Sequence, residues 1–209
     1  MKNNFLLSFL LTFCVTVGIA QEQKMSSAEI STFQNGMGKI GQIKTLTADF
    51  IQYKRVGYVT NELVSSGKFY VKNPDKLAWF YSSPTAYTMV FNNKKMMIEE
   101  KGKKKTMDVG RSKQFEKISQ AIQSNMNGGT YQGTEFSPSY FQTNKLYILK
   151  LNPLAKEVKK AMKQLVVGFD KTTYQVVEVM LLDNSNGSTR FVFTNQKING
   201  TLADSIFDL

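Results

Sequence analysis

The chain has 209 residues, a formal net charge of +11, 42% hydrophobic residues, no histidine and a single cysteine. The missing histidine removes the usual general base, and the one cysteine, Cys14, falls in an apolar leader; thiolate catalysis and the common soft or borderline metal sites go with them. The composition therefore argues against an enzyme, and no cofactor is expected.

Lys2 supplies a short positive region, Phe5 to Val17 an apolar core, and Gly18-Ile19-Ala20 the small residues that a signal peptidase reads. Residues 1–20 are read as a cleaved signal peptide and residues 21–209 as a single exported domain. Phe13, directly before Cys14, argues against lipid modification of that cysteine, which needs a small residue there. No later apolar run approaches the roughly 20 residues of a membrane-crossing helix, so no transmembrane segment is expected in the mature chain. Export changes what the basic charge means: anionic headgroups or an acidic protein surface are the expected counterparts, not nucleic acid.

The predicted elements follow in order. Residues 25–43 read as a helix capped by Ser26 or Ser27, with Glu29 in its first turn and Ile30, Phe33, Met37, Ile40 and Ile43 at helical spacing. From Leu46 the period becomes two, with Leu46, Ala48 and Phe50 on one face and Thr47, Asp49 and Ile51 on the other. Strands follow at Val59 to Val64, Gly67 to Lys72, Leu77 to Tyr81, Tyr87 to Phe91 and Met96 to Glu100. Asn73-Pro74-Asp75, Ser82-Ser83-Pro84, Asn92-Asn93 and Gly102 mark the turns around them.

Residues 112–126 break this rhythm with a helical stripe of Phe115, Ile118, Ile122 and Met126. A weak strand over Tyr131 to Phe136, a strand over Leu146 to Leu151 and a short helix over residues 154–163 come next. Strands are then predicted at Gln164 to Phe169, Tyr174 to Leu182 and Ser188 to Asn195, with a last short segment ending in Ile206-Phe207. Asn186-Gly187 is the best hairpin signal in the chain.

Other chemical motifs fade on inspection. Glu99 and Glu100 are adjacent on a strand and point to opposite faces, so they cannot flank one bond as paired carboxylates must. Gly36, Gly38 and Gly41 have dinucleotide-like spacing, but they lie inside or just after a helix and precede a strand, the reverse of the order that motif requires. The basic run Lys101 to Lys105 reads as a solvated hairpin tip. More telling are ten methionines and fifteen phenylalanines beside a single tryptophan, because methionine repacks readily around apolar guests. Phe69, Val71, Leu77, Trp79 and Tyr81 share one alternating face, as one apolar concave wall would require; Lys68, Tyr70, Lys72, Ala78 and Phe80 share the other.

The runs Leu46-Thr47-Ala48-Asp49-Phe50-Ile51-Gln52, Gly67-Lys68-Phe69-Tyr70-Val71-Lys72-Asn73-Pro74 and Leu77-Ala78-Trp79-Phe80-Tyr81 resemble the N-terminal half of LolA-type outer-membrane lipoprotein carriers. The close, Phe191-Val192-Phe193-Thr194-Asn195, Asn199-Gly200 and Phe207, resembles that family's ending. The resemblance implies a mainly β (α+β) fold, an incomplete antiparallel β-barrel with a strongly curved sheet closed by a lid of about three helices. It implies a monomeric carrier in the periplasm. Its cargo would be lipoproteins held by their acyl chains, taken from an inner-membrane lipoprotein-releasing transporter and passed to an outer-membrane acceptor.

By the same analogy Phe50, Phe69, Val71, Leu77, Trp79, Val90, Met96 and Ile98 line the cavity, and Phe115, Ile118 and Ile122 face it from the lid. No catalytic residue and no metal site are implied. A module binding a free lipid or glycolipid, or an envelope-stress sensor domain, would share the fold. One departure stands out: carriers of this type in proteobacteria typically place an arginine before the proline matched by Pro74, where it ties the lid shut, and this chain has Asn73.

Overall fold

The computed structural model describes residues 21–39, 43–58, 61–108 and 135–208. The leader and the helix expected over 112–126 lie outside these residues.

Chain order begins with β1 (Gln23–Lys24) and α1 (Ser27–Lys39). Helix α1 starts on a reciprocal cap. Glu29 Oε2 accepts from the Ser26 backbone N–H at 2.7 Å and from its hydroxyl at 2.8 Å, while Ser26 Oγ accepts from the Glu29 N–H at 3.4 Å. Its stripe then buries Phe33 and Met37. The helix is described to Lys39, residues 40–42 lie outside the described set, and Ile43 is buried as the chain approaches the sheet. Gly36 stands inside α1. The Tyr174 ring lies where a Cβ would stand, so the glycine permits close packing.

Among the described residues eleven further strands make up a 12-stranded antiparallel sheet: β2 (Thr45–Arg55), β3 (Leu63–Lys72), β4 (Lys76–Ser83), β5 (Tyr87–Asn92), β6 (Lys95–Glu100), β7 (Lys103–Asp108), β8 (Phe136–Gln142), β9 (Leu146–Pro153), β10 (Gln164–Asp170), β11 (Val176–Leu182) and β12 (Ser188–Ile198). The spatial order is β1-β8-β9-β10-β11-β12-β2-β3-β4-β5-β6-β7, so β1 and β7 are the two ends of an unclosed, curved sheet. Antiparallel neighbours joined by tight turns account for most of this order. The longest-range pairing sets the last strand, β12, against the first long one, β2, from Ser188↔Arg55 to Ile198↔Leu46.

The turns follow local chemistry. Asn93-Lys94 and Lys101-Gly102 both have positive φ at each residue, the geometry of two-residue hairpin turns whose twist matches that of the flanking strands. At the Asn186-Gly187 hairpin, Asp183 Oδ1 accepts the N–H groups of Ser185 and Gly187, each at 2.7 Å. Asn186 sits at φ 62°.

Several boundaries differ from expectation. Of the strand expected at 59–64 only residues 63 and 64 are strand; they open β3, which runs on through the strand expected at 67–72 with a register shift against β4 at Ser66/Gly67, and residues 59 and 60 lie outside the described set. Gly67 is needed at that irregularity because the Phe80 carbonyl occupies the space of a Cβ. Strand β8 begins at Phe136, where the weak strand was expected to end. The short helix α2 (Lys156–Ala161) is trimmed at both ends and holds Val158 in the core, while Leu154 stays exposed. The last segment is a 3-10 turn (Asp204–Phe207) and not a strand.

The main core lies on the concave side. Phe33 from α1 packs against Tyr147 at 5.0 Å and Phe169 at 5.1 Å, closing the β8–β10 half of that surface. A smaller cluster of Ala78, Val90 and Phe207 lies on the convex side.

Candidate functional site

Cross-strand registers decide which side chains share a face, since directly paired residues point the same way. One row on the concave face runs Ala48, Phe69, Trp79, Met89, Ile98 and Lys105 across β2 to β7. The next runs Leu46, Val71, Leu77, Phe91, Met96 and Met107. A third joins Phe193, Phe50, Tyr81 and Tyr87 and ends on Glu100 and Lys103. The result is a continuous apolar wall, buried at β2 and β3 and only half-buried from Trp79 through Met89, Phe91, Met96 and Ile98.

Phe50, Phe69, Val71, Leu77, Trp79, Met96 and Ile98 all stand on this wall. Val90 does not, and its assignment to the cavity is corrected. It pairs with Ala78 on the opposite face, fully buried beneath Phe207. Its neighbours Met89 and Phe91 take the concave positions. Alternation alone gave the strand, but fixing its parity requires the register across the turn at 82–86. The lid residues Phe115, Ile118 and Ile122 lie outside the described residues.

Aromatic contacts stiffen the wall. Phe69 has its ring centroid 4.6 Å from Trp79 and 5.3 Å from Phe193. Tyr81 stacks on Tyr87 at 4.1 Å with the planes 11° apart, and Phe50 meets the Tyr81 edge at 4.9 Å. Polar atoms on the wall are few. The Tyr81 hydroxyl donates to Gln52 Oε1 at 2.6 Å, and burial pushes its ionisation far above the ordinary range, so it remains a neutral donor. Trp79 Nε1 is buried and has no acceptor among the described residues.

Asn73, at the β3–β4 turn, serves the approach to β2. Its backbone N–H donates to the Lys44 carbonyl at 2.9 Å and its side-chain amide donates to the Ile43 carbonyl. These bonds hold the segment that leads from α1 into the sheet.

The convex face is polar at its centre. Lys68 Nζ and Asn195 Nδ2 each donate to Asp49 at 2.8 Å beside a shallow groove of about 260 Å³ lined also by Thr47, Tyr70 and Lys197. Among the described residues no group of three or more His, Cys, Asp or Glu is arranged to hold a metal ion, and no helix is long and apolar enough to cross a membrane. Glu99 and Glu100 fall on opposite faces, as their adjacency required.

An unclosed, curved antiparallel sheet with an apolar concave wall defines a half-barrel binding protein. The chain belongs to the LolA family, outer membrane lipoprotein carrier protein LolA, whose pattern it matches over residues 41–209.

Solved structures repeat the fold at very low identity. MucB is 11% identical with a TM-score of 0.50; the match covers 88% of this chain and 64% of that one. A LolA superfamily protein from Nitrosomonas europaea is 7% identical over 86% of this chain and 97% of its own, with a TM-score of 0.46. The Mycobacterium tuberculosis lipoprotein LppX is 12% identical over 85% and 99%, also at 0.46. No curated protein is matched by sequence.

Proposed function

We propose that this protein is a periplasmic carrier that takes the acyl chains of lipoproteins onto its concave wall and shuttles them from the inner to the outer membrane. The observation that carries this reading is the half-buried stretch Trp79, Met89, Phe91, Met96 and Ile98, in a chain of the lipoprotein-carrier family. A wall built only to fill a core would be sealed, like Phe50 and Phe69 at 1% exposure each. Here large, adaptable side chains are left with part of their surface uncovered by the described residues, and an acyl chain removes that surface from water at about 0.8 kcal/mol per methylene.

The chemistry asked of the protein is binding. Transfer would proceed by exchange of one apolar environment for another, from a releasing transporter to the wall and from the wall to an acceptor. Residues 1–20 would direct export and be removed.

Purification of the mature protein from its host envelope, followed by mass spectrometry of what it carries, tests the proposal. Acylated lipoproteins should co-purify, and cells lacking the protein should lose lipoproteins from the outer membrane. A single non-protein lipid as the bound species would replace the lipoprotein cargo with a free lipid. An empty protein that takes up no acyl chain, from cells with a normal outer membrane, would overturn the reading.

A further inference from the structure

One register row, Gln164, Leu182, Ser188 and Arg55, marks one end of the sheet across β10, β11, β12 and β2. Beyond it stand α2, the 183–187 turn and the tip of the β2–β3 hairpin. The three are tied together. Asn184 Nδ2 donates to the Lys159 and Lys160 carbonyls at 2.8 and 3.1 Å, and the Ser185 carbonyl occupies the space of a Cβ on Gly57. Gly187 in turn lies against the Arg55 carbonyl, so two glycines seat the hairpin tip on its neighbour.

Among the described residues the exposed large apolar side chains are Ile51, Val56, Tyr58, Leu63, Val64 and Leu154. Scattered singly they would need no explanation, but the first five belong to one hairpin, and Leu154 stands just before α2 at the same end. Tyr58 is 85% exposed, Leu63 59% and Val64 51%, so these are not core side chains brushing the surface. Leu63 and Val64 pair with Lys54 and Tyr53 and point to opposite faces of the hairpin, which is therefore apolar on both sides. Basic groups surround it. Lys54 and Arg55 flank the tip, with Glu62 4.0 Å from Arg55, and α2 adds exposed Lys156, Lys159 and Lys160 against Glu157.

We propose that this end of the sheet is a docking surface for an anionic lipid bilayer: the β2–β3 tip enters the boundary between headgroups and acyl chains, and the α2 lysines lie on the phosphates. A narrow tip that is apolar on both faces suits a fluid that closes around it, whereas a stable protein interface needs about 800 Å² of matched surface on each partner. Tyrosine at the tip fits the same depth, with its ring among chains and its hydroxyl in the headgroup layer. The net charge of +11 adds a general attraction to an anionic surface.

The probes are vesicles of phosphatidylcholine mixed with phosphatidylglycerol, and vesicles of phosphatidylcholine alone, floated with the mature protein at low salt. The wild type should bind the anionic vesicles and much more weakly the neutral ones. Lys159→Gln with Lys160→Gln should weaken that binding about thirtyfold, since each lysine near an anionic surface contributes about a fivefold factor. Tyr58→Ser with Leu63→Ser should weaken it about tenfold through lost apolar contact. All four side chains are exposed, so the unfolding midpoints should stay level, and fatty-acid displacement of a dye from the concave wall should not change. Insertion has its own readout. In Trp79→Phe with Tyr58→Trp the sole indole stands at the tip; its emission should move to shorter wavelength on the anionic vesicles and be quenched by lipids brominated along their chains.

Absence of binding to the anionic vesicles would overturn the proposal and leave the acyl-chain reading untouched. Binding that ignores the Tyr58 and Leu63 changes, with no quenching of the tip indole, would also overturn it, as adsorption by charge alone. A dimer in sedimentation that Tyr58→Ser dissociates, without vesicle binding, would give the surface to a second copy of the chain and not to a bilayer.

Discussion

Trp79 and Phe69 face each other across β4 and β3 with ring centroids 4.6 Å apart, but one is sealed at 1% exposure and the other is half-open. That difference separates support from binding. Phe69 also touches Phe193 at 5.3 Å, so it links the β2–β3 part of the wall to the strand that closes the sheet's longest-range pairing. Phe69→Ala should cost about 3–5 kcal/mol of stability, read by urea unfolding. Trp79→Glu should behave differently. Its carboxylate reaches water from a half-open position, so the fold survives, but the charge stands where a chain would lie and fatty-acid displacement of a bound dye should weaken at least tenfold. Wild-type binding by Trp79→Glu would place the residue outside the site.

Met89 and Val90 are adjacent, and the sheet sends them to opposite faces. Val90 is fully buried against Ala78 and Phe207 on the convex side. Val90→Ala should therefore lower stability by about 2 kcal/mol and leave acyl-chain affinity unchanged. Met89→Glu should do the reverse, weakening chain capture with a small change in the unfolding midpoint. Dye titration and urea unfolding of the same two proteins check both halves. If Val90→Ala impaired binding and Met89→Glu did not, the concave wall would not be the ligand surface.

The Met89/Val90 pair also shows where sequence reading stops. The alternation of Leu46, Ala48 and Phe50, the face shared by Phe69 to Tyr81 and the turns at Asn93 and Gly102 are set within a few residues, and each was legible. So was the apolar character of the wall. What depends on distant partners was not. The parity of β5 relative to β4 depends on how the chain passes through residues 82–86, and a slip of one residue exchanges the two faces. The run of β3 across the expected break is set by its unbroken pairing with β2 from Leu63 to Lys72, and Phe207 finds its place only once Ala78 and Val90 have made a convex pocket. That Trp79 Nε1 meets no acceptor among the described residues is likewise a property of its neighbours.

Asn73 stands where a lid-tying arginine was expected by family resemblance, and its amide bonds the Ile43 carbonyl while its backbone bonds Lys44. This chain thus uses the position to fix the junction between α1 and β2. Asn73→Ala keeps the backbone bond and removes the amide bond to the Ile43 carbonyl. It should cost about 1–2 kcal/mol, with a faster amide exchange around residues 43–45 as its local signature. Acyl-chain affinity should change by less than about twofold if the asparagine acts on the fold alone. A large loss of affinity at unchanged stability would mean that it acts on the ligand or on what covers it.

The pH dependence of stability follows from which groups the chain has and lacks. Asp204 accepts from Lys76 Nζ at 2.7 Å and Lys72 Nζ at 3.0 Å, and these bonds hold its carboxyl below the usual carboxylate range. Asp49 is lowered in the same way by Lys68 and Asn195, and Asp170 by the Thr173 and Thr172 N–H groups and the Thr173 hydroxyl. A group whose pKa is lower folded than unfolded gives stability that is present above its unfolded value, near about 3.9, and is lost as pH falls through the folded value. The protein should therefore lose stability progressively as pH falls below about 5, as the unfolded chain takes up protons first. Between about pH 5 and 7 the unfolding midpoint should stay level, because no histidine is present to titrate there. Asp204→Asn removes one acid-sensitive contact, so its midpoint should fall less than that of the wild type between pH 7 and pH 3 as followed by circular dichroism. A stability step centred near pH 6 would contradict this account, since it would require a titrating group that these contacts do not supply.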